Sequence, residues 1–134
     1  MKERVTAIRR TKMSAPMRWL VEKDLIKKPA LDFGCGYGED AALLNMDSYD
    51  PYFQPELPAE QFKTVTCIYV LNTLSKNKEQ EVINQIKKKL LPGGTAFLAV
   101  RRDLKNKTKT QRIVKLDLPV ITEVKGRFII YEMN

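Results

Sequence analysis

An α/β fold with a mainly parallel sheet is what this sequence predicts, and three observations carry it. Helical and strand-like segments alternate along the chain. The strand-like runs Thr64 to Leu71 and Thr95 to Val100 are apolar without alternation, the mark of strands buried on both faces. A glycine-rich turn follows the first strand-like run. Strands alternating with helices give a parallel sheet with helices on its faces, right-handed crossovers and a ligand crevice at the carboxyl ends of the strands.

Each element has a local reason. Residues Lys2 to Lys12 are basic and weakly patterned, so residues 1–13 read as an N-terminal arm and 14–134 as one domain. Ser14 suits a helix N-cap, with Pro16 tolerated in the first turn. Met17, Leu20, Val21 and Leu25 follow at helical spacing, and Lys27, Lys28 and Pro29 end the helix. Ala30 to Phe33 reads as a strand, Glu39 to Asn45 as a helix, and Ser48 to Asp50 as a second strand closed by Pro51. Tyr52 to Gln61, with Pro55 and Pro58, reads as irregular. Asn77 is the expected cap of a helix from Lys78 to Leu91, acidic in its first turn and basic in its last as the helix dipole favours. Pro92-Gly93-Gly94 is the expected stop. Val120 to Val124 and Arg127 to Tyr131, joined at Lys125-Gly126, read as a terminal antiparallel hairpin.

Composition sets outer limits. The 134 residues, 43% of them apolar, suffice for one core. No run approaches a membrane span. Export is not expected, because no signal-like segment opens the chain. Cys35 and Cys67 are the only cysteines, in apolar or glycine-rich runs, and read as reduced thiols of a cytoplasmic protein. There is no histidine, so a His-based triad and most zinc sites are excluded, and no metal is expected.

Charge is unevenly placed. Residues 1–28 carry net +6, residues 29–60 net −7 with no Lys or Arg, residues 61–100 net +4 and residues 101–134 net +5. Clustered positive charge attracts polyanions, which makes nucleic acid a candidate partner. An unevenly charged solvated surface explains the same pattern. The Lys-free acidic stretch suits a cationic ligand.

The sharpest signal is Leu31-Asp32-Phe33-Gly34-Cys35-Gly36-Tyr37-Gly38. Alternate glycines let a backbone turn tightly and approach a ligand. The dinucleotide fingerprint wants its third glycine three residues after the second. Glu39 stands there and would repel a pyrophosphate. No Gly-Lys-Ser/Thr follows, so a P-loop is excluded. Asp50 ends the second strand 18 residues after Asp32. A common βα turn and a turn-starting Asp-Pro pair account for these features singly; their combination is much rarer.

Asp32, the three glycines and Asp50 together resemble motif I of the class I S-adenosylmethionine (SAM) methyltransferases. The resemblance implies a Rossmann-like fold, SAM as cofactor, and an acid at Asp50 for the ribose hydroxyls. SAM is cationic and has no phosphate, which agrees with the acidic stretch. The implied cofactor contacts are Asp32, Phe33, Gly34, Cys35, Gly36, Gly38, Asp50, Pro51 and Leu71. Thr64 to Asn72 resembles the family's fourth strand and the loop at the methyl-transfer centre, which makes Tyr69 and Asn72 the catalytic candidates. Asn72 can orient an acceptor, or cap the next segment. Leu90-Leu-Pro-Gly-Gly-Thr-Ala-Phe-Leu98 resembles the family's helix end and fifth strand. Thr6 to Arg10, Ser14 to Pro16, Asp32 to Asp40, Tyr49 to Tyr52, Tyr69 to Asn72 and Ala99 to Arg102 are similar to methyltransferases associated with bacterial DNA phosphorothioation and to their phage relatives.

Only 13 residues separate Asp50 from Thr64, too few for the usual helix, strand and helix. A reduced fold lacking the family's third strand is expected, which leaves Tyr52, Phe53 or backbone near Asn72 for the adenine. Tyr37, with Tyr69 and Asn72, can shape the acceptor site. Arg9, Arg10, Lys12, Arg101 and Arg102 can hold an anionic substrate, or remain solvated charges. Two functions are carried forward: a small SAM-dependent methyltransferase of unidentified acceptor, nucleic acid being favoured, and a non-catalytic methyltransferase-like module that binds nucleic acid or a partner protein. A partner protein or a second copy of the chain is a candidate to complete the site.

Overall fold

The computed structural model describes residues 13–34, 36, 38–104 and 111–134. Its elements in order are α1 (Ala15–Glu22), β1 (Ala30–Phe33), α2 (Glu39–Leu44), β2 (Asp47–Tyr49), β3 (Phe62–Ile68), a 3-10 turn (Leu71–Thr73), α3 (Lys76–Lys88), β4 (Leu90–Arg101), β5 (Val120–Val124) and β6 (Phe128–Met133). The six strands form one sheet in the order β2-β1-β3-β4-β6-β5. The pairs β1–β2, β1–β3 and β3–β4 are parallel, and β4–β6 and β5–β6 are antiparallel. This is the expected α/β architecture with its C-terminal hairpin. Among the described residues no strand joins the outer edge of β2.

The two faces of the sheet bury separate cores. Along β4, Ala96, Leu98 and Val100 face one cluster, while Phe97 and Ala99 face the other. That alternation is the two-residue period of a strand covered on both sides. Ile83 and Ile86 of α3 close the first cluster, with Val114 from the connection between β4 and β5. Met17 and Leu20 of α1 close the second and are fully buried. Each such side chain contributes about 1.5–3 kcal/mol by leaving water.

Several boundaries differ from the sequence expectation. Helix α1 stops at Glu22, because Asp24 adopts a left-handed φ of 56°; Leu25 and Ile26 still pack on the core from a coil. Ser14 takes the N-cap position but makes no capping bond. Its hydroxyl and its backbone N–H instead donate to Asp40, at 2.6 and 2.9 Å. Helix α3 is capped by Ser75, whose Oγ accepts from Lys78 N–H, and not by Asn77. It also ends three residues early, with Lys89 as its C-cap. Pro92-Gly93-Gly94 therefore caps no helix and lies inside β4, where the β3–β4 register shifts. A Cβ on Gly94 would stand 2.9 Å from Leu91 O and 3.0 Å from Phe62 O, so the two backbones meet too closely for a side chain. Strand β3 ends at Ile68 and not at Leu71, because Tyr69 turns to a φ of 62°.

Candidate functional site

The sheet order fixes where a site can form. The chain runs from β1 outward to β2, then returns across β1 to β3. The strand order reverses at the β1/β3 boundary, and the carboxyl ends there open a crevice. The loops after β1, β2 and β3 meet at this edge.

The first loop is the glycine turn. Gly34, Gly36 and Gly38 have φ of 79°, 61° and 80°, three left-handed residues at alternate positions. Only glycine adopts this backbone without strain. Gly34 N–H donates to Tyr49 O at 2.7 Å and ties the turn to the end of β2. A Cβ on Gly34 would lie 2.5 Å from Val70 Cγ2, so the turn also packs directly on the loop after β3.

Asp50 joins the second loop to the first. Its Oδ2 accepts from Gly36 N–H at 2.8 Å, and its Oδ1 from Tyr52 N–H at 2.9 Å and Phe53 N–H at 3.3 Å. Asp50 and Gln54 exchange main-chain hydrogen bonds of 2.8 and 2.9 Å, closing a five-residue loop. The Gln54 side chain lies over the glycine turn, with Nε2 3.2 Å from where a Gly38 Cβ would stand.

Asp32 lies under the turn, buried, accepting at 2.9 Å from Thr66 Oγ1 across the β1–β3 boundary. Burial pushes the Cys67 thiol far above its ordinary value, and the Asp32 charge pushes the same way. This cysteine is a protonated core residue, not a nucleophile. Asp40 accepts both Ser14 bonds and so clamps the start of α1 to the start of α2. The opening half of the site is thus a backbone cradle with Asp32 beneath it and Asp50 at its side. No Lys or Arg stands between residues 29 and 60. Such a cradle attracts a cation and repels a phosphate.

The third loop carries the transfer-side candidates. Tyr69 N–H donates to Ala99 O at 2.9 Å, and its left-handed backbone is a strained position of the kind found at functional sites. Asn72 is buried to 1% exposure. Its Nδ2 donates to Gln111 Oε1, and its Oδ1 has no partner among the described residues. Arg112 straps this loop: its N–H donates to Asn72 O at 2.7 Å, its Nε to Leu74 O at 2.5 Å and its Nη2 to Glu79. Arg101 and Arg102 lie at the carboxyl end of β4, on the same edge. Arg101 makes a bidentate pair with Asp103, at 2.8 and 2.7 Å, which raises the Arg101 pKa and lowers that of Asp103. Arg102 donates to the Tyr131 hydroxyl at 2.9 Å.

The structure therefore brings Asp32, Gly34, Gly36, Gly38, Asp50, Tyr69, Arg101 and Arg102 to one sheet edge. Phe33 and Leu71 are buried in the core behind it, Phe33 against the Tyr49 ring at 5.0 Å. Pro51 is exposed on the second loop. Arg9, Arg10, Lys12, Cys35 and Tyr37 lie outside the described residues. Sequence reasoning missed Gln54, Val70, Gln111 and Arg112. Their contacts span long stretches of chain, and no local pattern announces them. Among the described residues, no group of His, Cys, Asp or Glu is arranged to hold a metal, and no helix is long and apolar enough to cross a membrane.

Comparison with known proteins bears on this arrangement. The family profile described as "Methyltransferase domain" matches residues 6–122. No curated protein matches. The fold is similar to that of the N-methyltransferase NodS from Bradyrhizobium japonicum WM9, solved with S-adenosylhomocysteine (SAH): TM-score 0.57 at 12% identity, covering 87% of this chain and 82% of that one. It is also similar to DhpI in its SAH complex, with TM-score 0.53, 14% identity and coverage of 88% and 82%. Against the glycopeptide N-methyltransferase MtfA the TM-score is 0.51 at 13% identity, over 65% of this chain and 53% of that one. The chain thus spans about half the length of that enzyme. At these identities the likeness is one of fold.

Proposed function

This chain belongs to the methyltransferase-domain family, and on that basis we propose that it transfers a methyl group from SAM to a nucleic acid. One observation carries the cofactor reading: three left-handed glycines, bonded through Gly36 to the Asp50 carboxylate, in a stretch with no Lys or Arg. SAM combines a sulfonium and an ammonium with one carboxylate, so an acid-lined, Cβ-free cradle fits it. Asp50 fits the ribose in a limited way. A carboxylate offers about four acceptor positions, and three are spent on Gly36, Tyr52 and Phe53. Room is left for one ribose hydroxyl, not two.

SAM supplies a methyl carbon already activated by positive sulfur, so the protein's part is alignment and exclusion of water. Asp32 and Asp50 would hold the cationic cofactor, and the glycine turn with Pro51 would shape its bed, backed from the core by Phe33 and Leu71. Tyr69 would orient the acceptor across the β1/β3 crevice, with Asn72 holding Gln111 from beneath.

The nucleic-acid reading rests on charge and placement. Arg101 and Arg102 stand at the site edge. Arg9, Arg10 and Lys12 add positive charge in sequence just ahead of Ser14. The similarity to methyltransferases associated with DNA phosphorothioation and phage supports the same reading, as does the net charge of +8. We place the activity in the cytoplasm, with a partner protein or a second copy as candidates to complete the site.

The test is incubation with SAM carrying a labelled methyl group, and DNA and RNA oligonucleotides as acceptors. Label in either polymer, lost in high salt, supports the reading. Label in neither, with the protein able to bind SAM, overturns the nucleic-acid acceptor. Salt-sensitive oligonucleotide binding without SAM binding would make the chain a non-catalytic module.

A further inference from the structure

The amino ends of the parallel strands gather a lysine surface, and we infer that it binds the phosphate backbone of a nucleic-acid duplex. It lies at the end of the sheet opposite the glycine turn. Strand β3 spans seven residues, so the surface stands about 20 Å from the cofactor cradle. Duplex binding there and SAM binding therefore stand or fall separately.

Three segments far apart in sequence build it. Lys27 and Lys28 precede β1, Lys63 opens β3, and Lys87 to Lys89 precede β4. These strands are parallel neighbours, so their starts lie side by side. Pro29 O accepts from Lys63 N–H at 2.8 Å, and Lys89 O from Phe62 N–H at 2.7 Å. The Thr64 hydroxyl accepts from Lys27 N–H at 2.9 Å and donates to Lys27 O at 2.8 Å. Gln61 Nε2 donates to Lys88 O at 3.2 Å. Lys28, Lys63, Lys87 and Lys88 are exposed, whereas Lys89 is half-buried and donates from Nζ to Pro58 O. With Lys23, residues 23–29, 60–63 and 87–92 hold seven lysines against two acids, Asp24 and Glu60. Asp24 pairs with Lys27 at 3.1 Å.

Folding alone does not call for this cluster. The helix dipole favours Lys87 and Lys88 in the last turn of α3. Lys28 and Lys63 end no helix, and like charges brought together repel. The chemistry selects the partner. An ammonium is a point charge that meets phosphate oxygen without a fixed orientation. Lysine is depleted where proteins meet, and aromatic anchors are enriched there. The one ring in these three segments, Phe62, is fully buried. Single strands stack on exposed rings, and membrane surfaces take exposed apolar side chains. These segments expose no ring and no large aliphatic side chain. A duplex backbone asks for neither. Three strand starts span about 10 Å, the rise of about three phosphates along one DNA strand.

Fluorescence anisotropy of the whole chain with labelled DNA duplexes of two unrelated sequences, over a range of salt, tests it. Lys28→Gln, Lys63→Gln and Lys88→Gln together should weaken both duplexes alike, by about tenfold or more in low salt. They should also reduce the slope of log K against log salt by about three. The set Lys28→Arg, Lys63→Arg and Lys88→Arg should keep the parent slope. Arg18→Gln, Lys115→Gln and Lys125→Gln remove the same charge from scattered exposed positions and should lower the slope by less than about one. Circular dichroism checks that each variant folds. The inference is overturned if the parent binds no duplex, or if the Lys28, Lys63 and Lys88 glutamine set leaves the slope unchanged. It is also overturned if both glutamine sets lower the slope equally, since net charge alone would then suffice. Tighter binding to polyglutamate or to phosphatidylserine vesicles than to duplex would assign the surface to an acidic protein or a membrane instead. Calorimetric titration of SAH reads the SAM proposal independently of all these outcomes.

Discussion

Gly34 offers a prediction whose size can be worked from distances. In Gly34→Ala two costs arise. An alanine held at a φ of 79° costs about 1–2 kcal/mol. Its Cβ would also stand 2.5 Å from Val70 Cγ2 and 3.3 Å from Val70 Cγ1, so Val70 has to move. Overpacking of this kind costs about 1–3 kcal/mol. Reduced freedom of the unfolded chain returns about 0.4–1 kcal/mol. The net is roughly 2–4 kcal/mol, or about a 10 °C fall in Tm for a chain of this size. Gly126→Ala is the matched control: its φ is 73°, but nothing lies within 4 Å of the added Cβ. It should cost only the backbone component, about 1 kcal/mol. Urea denaturation followed by circular dichroism measures both. The pair Gly34→Ala with Val70→Ala should recover the clash component, about 1–2 kcal/mol better than additive. Equal costs at Gly34 and Gly126, or strict additivity with Val70→Ala, would refute the close packing of the glycine turn on the loop after β3.

The other predictions are shorter. Asp50→Asn removes acceptor capacity from a buried group bonded to three N–H donors; it should cost about 1–3 kcal/mol in thermal denaturation and weaken SAH in parallel. Arg112→Met leaves the buried Glu79 unpaired and should cost about 2–4 kcal/mol, little changed by added salt because the pair is largely covered. A matching loss in Glu79→Gln, without further loss in the double variant, would show that the two act as one unit. In a Cys35→Ser background, Cys67 should resist alkylation at pH 8 until the chain unfolds, since burial and the Asp32 charge both keep its thiol protonated; rapid labelling of the folded protein would contradict that burial.

The architecture was legible in sequence because it is written in local patterns. Unbroken apolar runs at Thr64 and Thr95 announced strands covered on both faces. Alternate glycines announced a tight turn, and the structure makes all three left-handed. Boundaries were less legible, because tertiary contacts set them. Pro92-Gly93-Gly94 looks like a helix stop, but the close approach of Gly94 to Phe62 O draws it into a strand. Ser14 looks like a cap, but its hydroxyl goes to Asp40, 26 residues away. The site was half legible. Asp32, Asp50 and the glycines lie at fixed offsets in a βαβ unit. Gln54, Gln111 and Arg112 owe their places to folding, and their identities carry no signature. Asn72 is polar at a strand end, and nothing in its neighbours in sequence foretells that it is buried beneath Gln111.

The most direct test of the account is calorimetric titration of SAH into the parent chain and into Gly36→Trp. Gly36 has a φ of 61° and gives its N–H to Asp50, so an indole there should block the cradle while the sheet stays folded by circular dichroism. The account predicts micromolar binding to the parent and none to the variant. A parent that gives no heat with SAH or SAM, or a variant that binds as well as the parent, would contradict it.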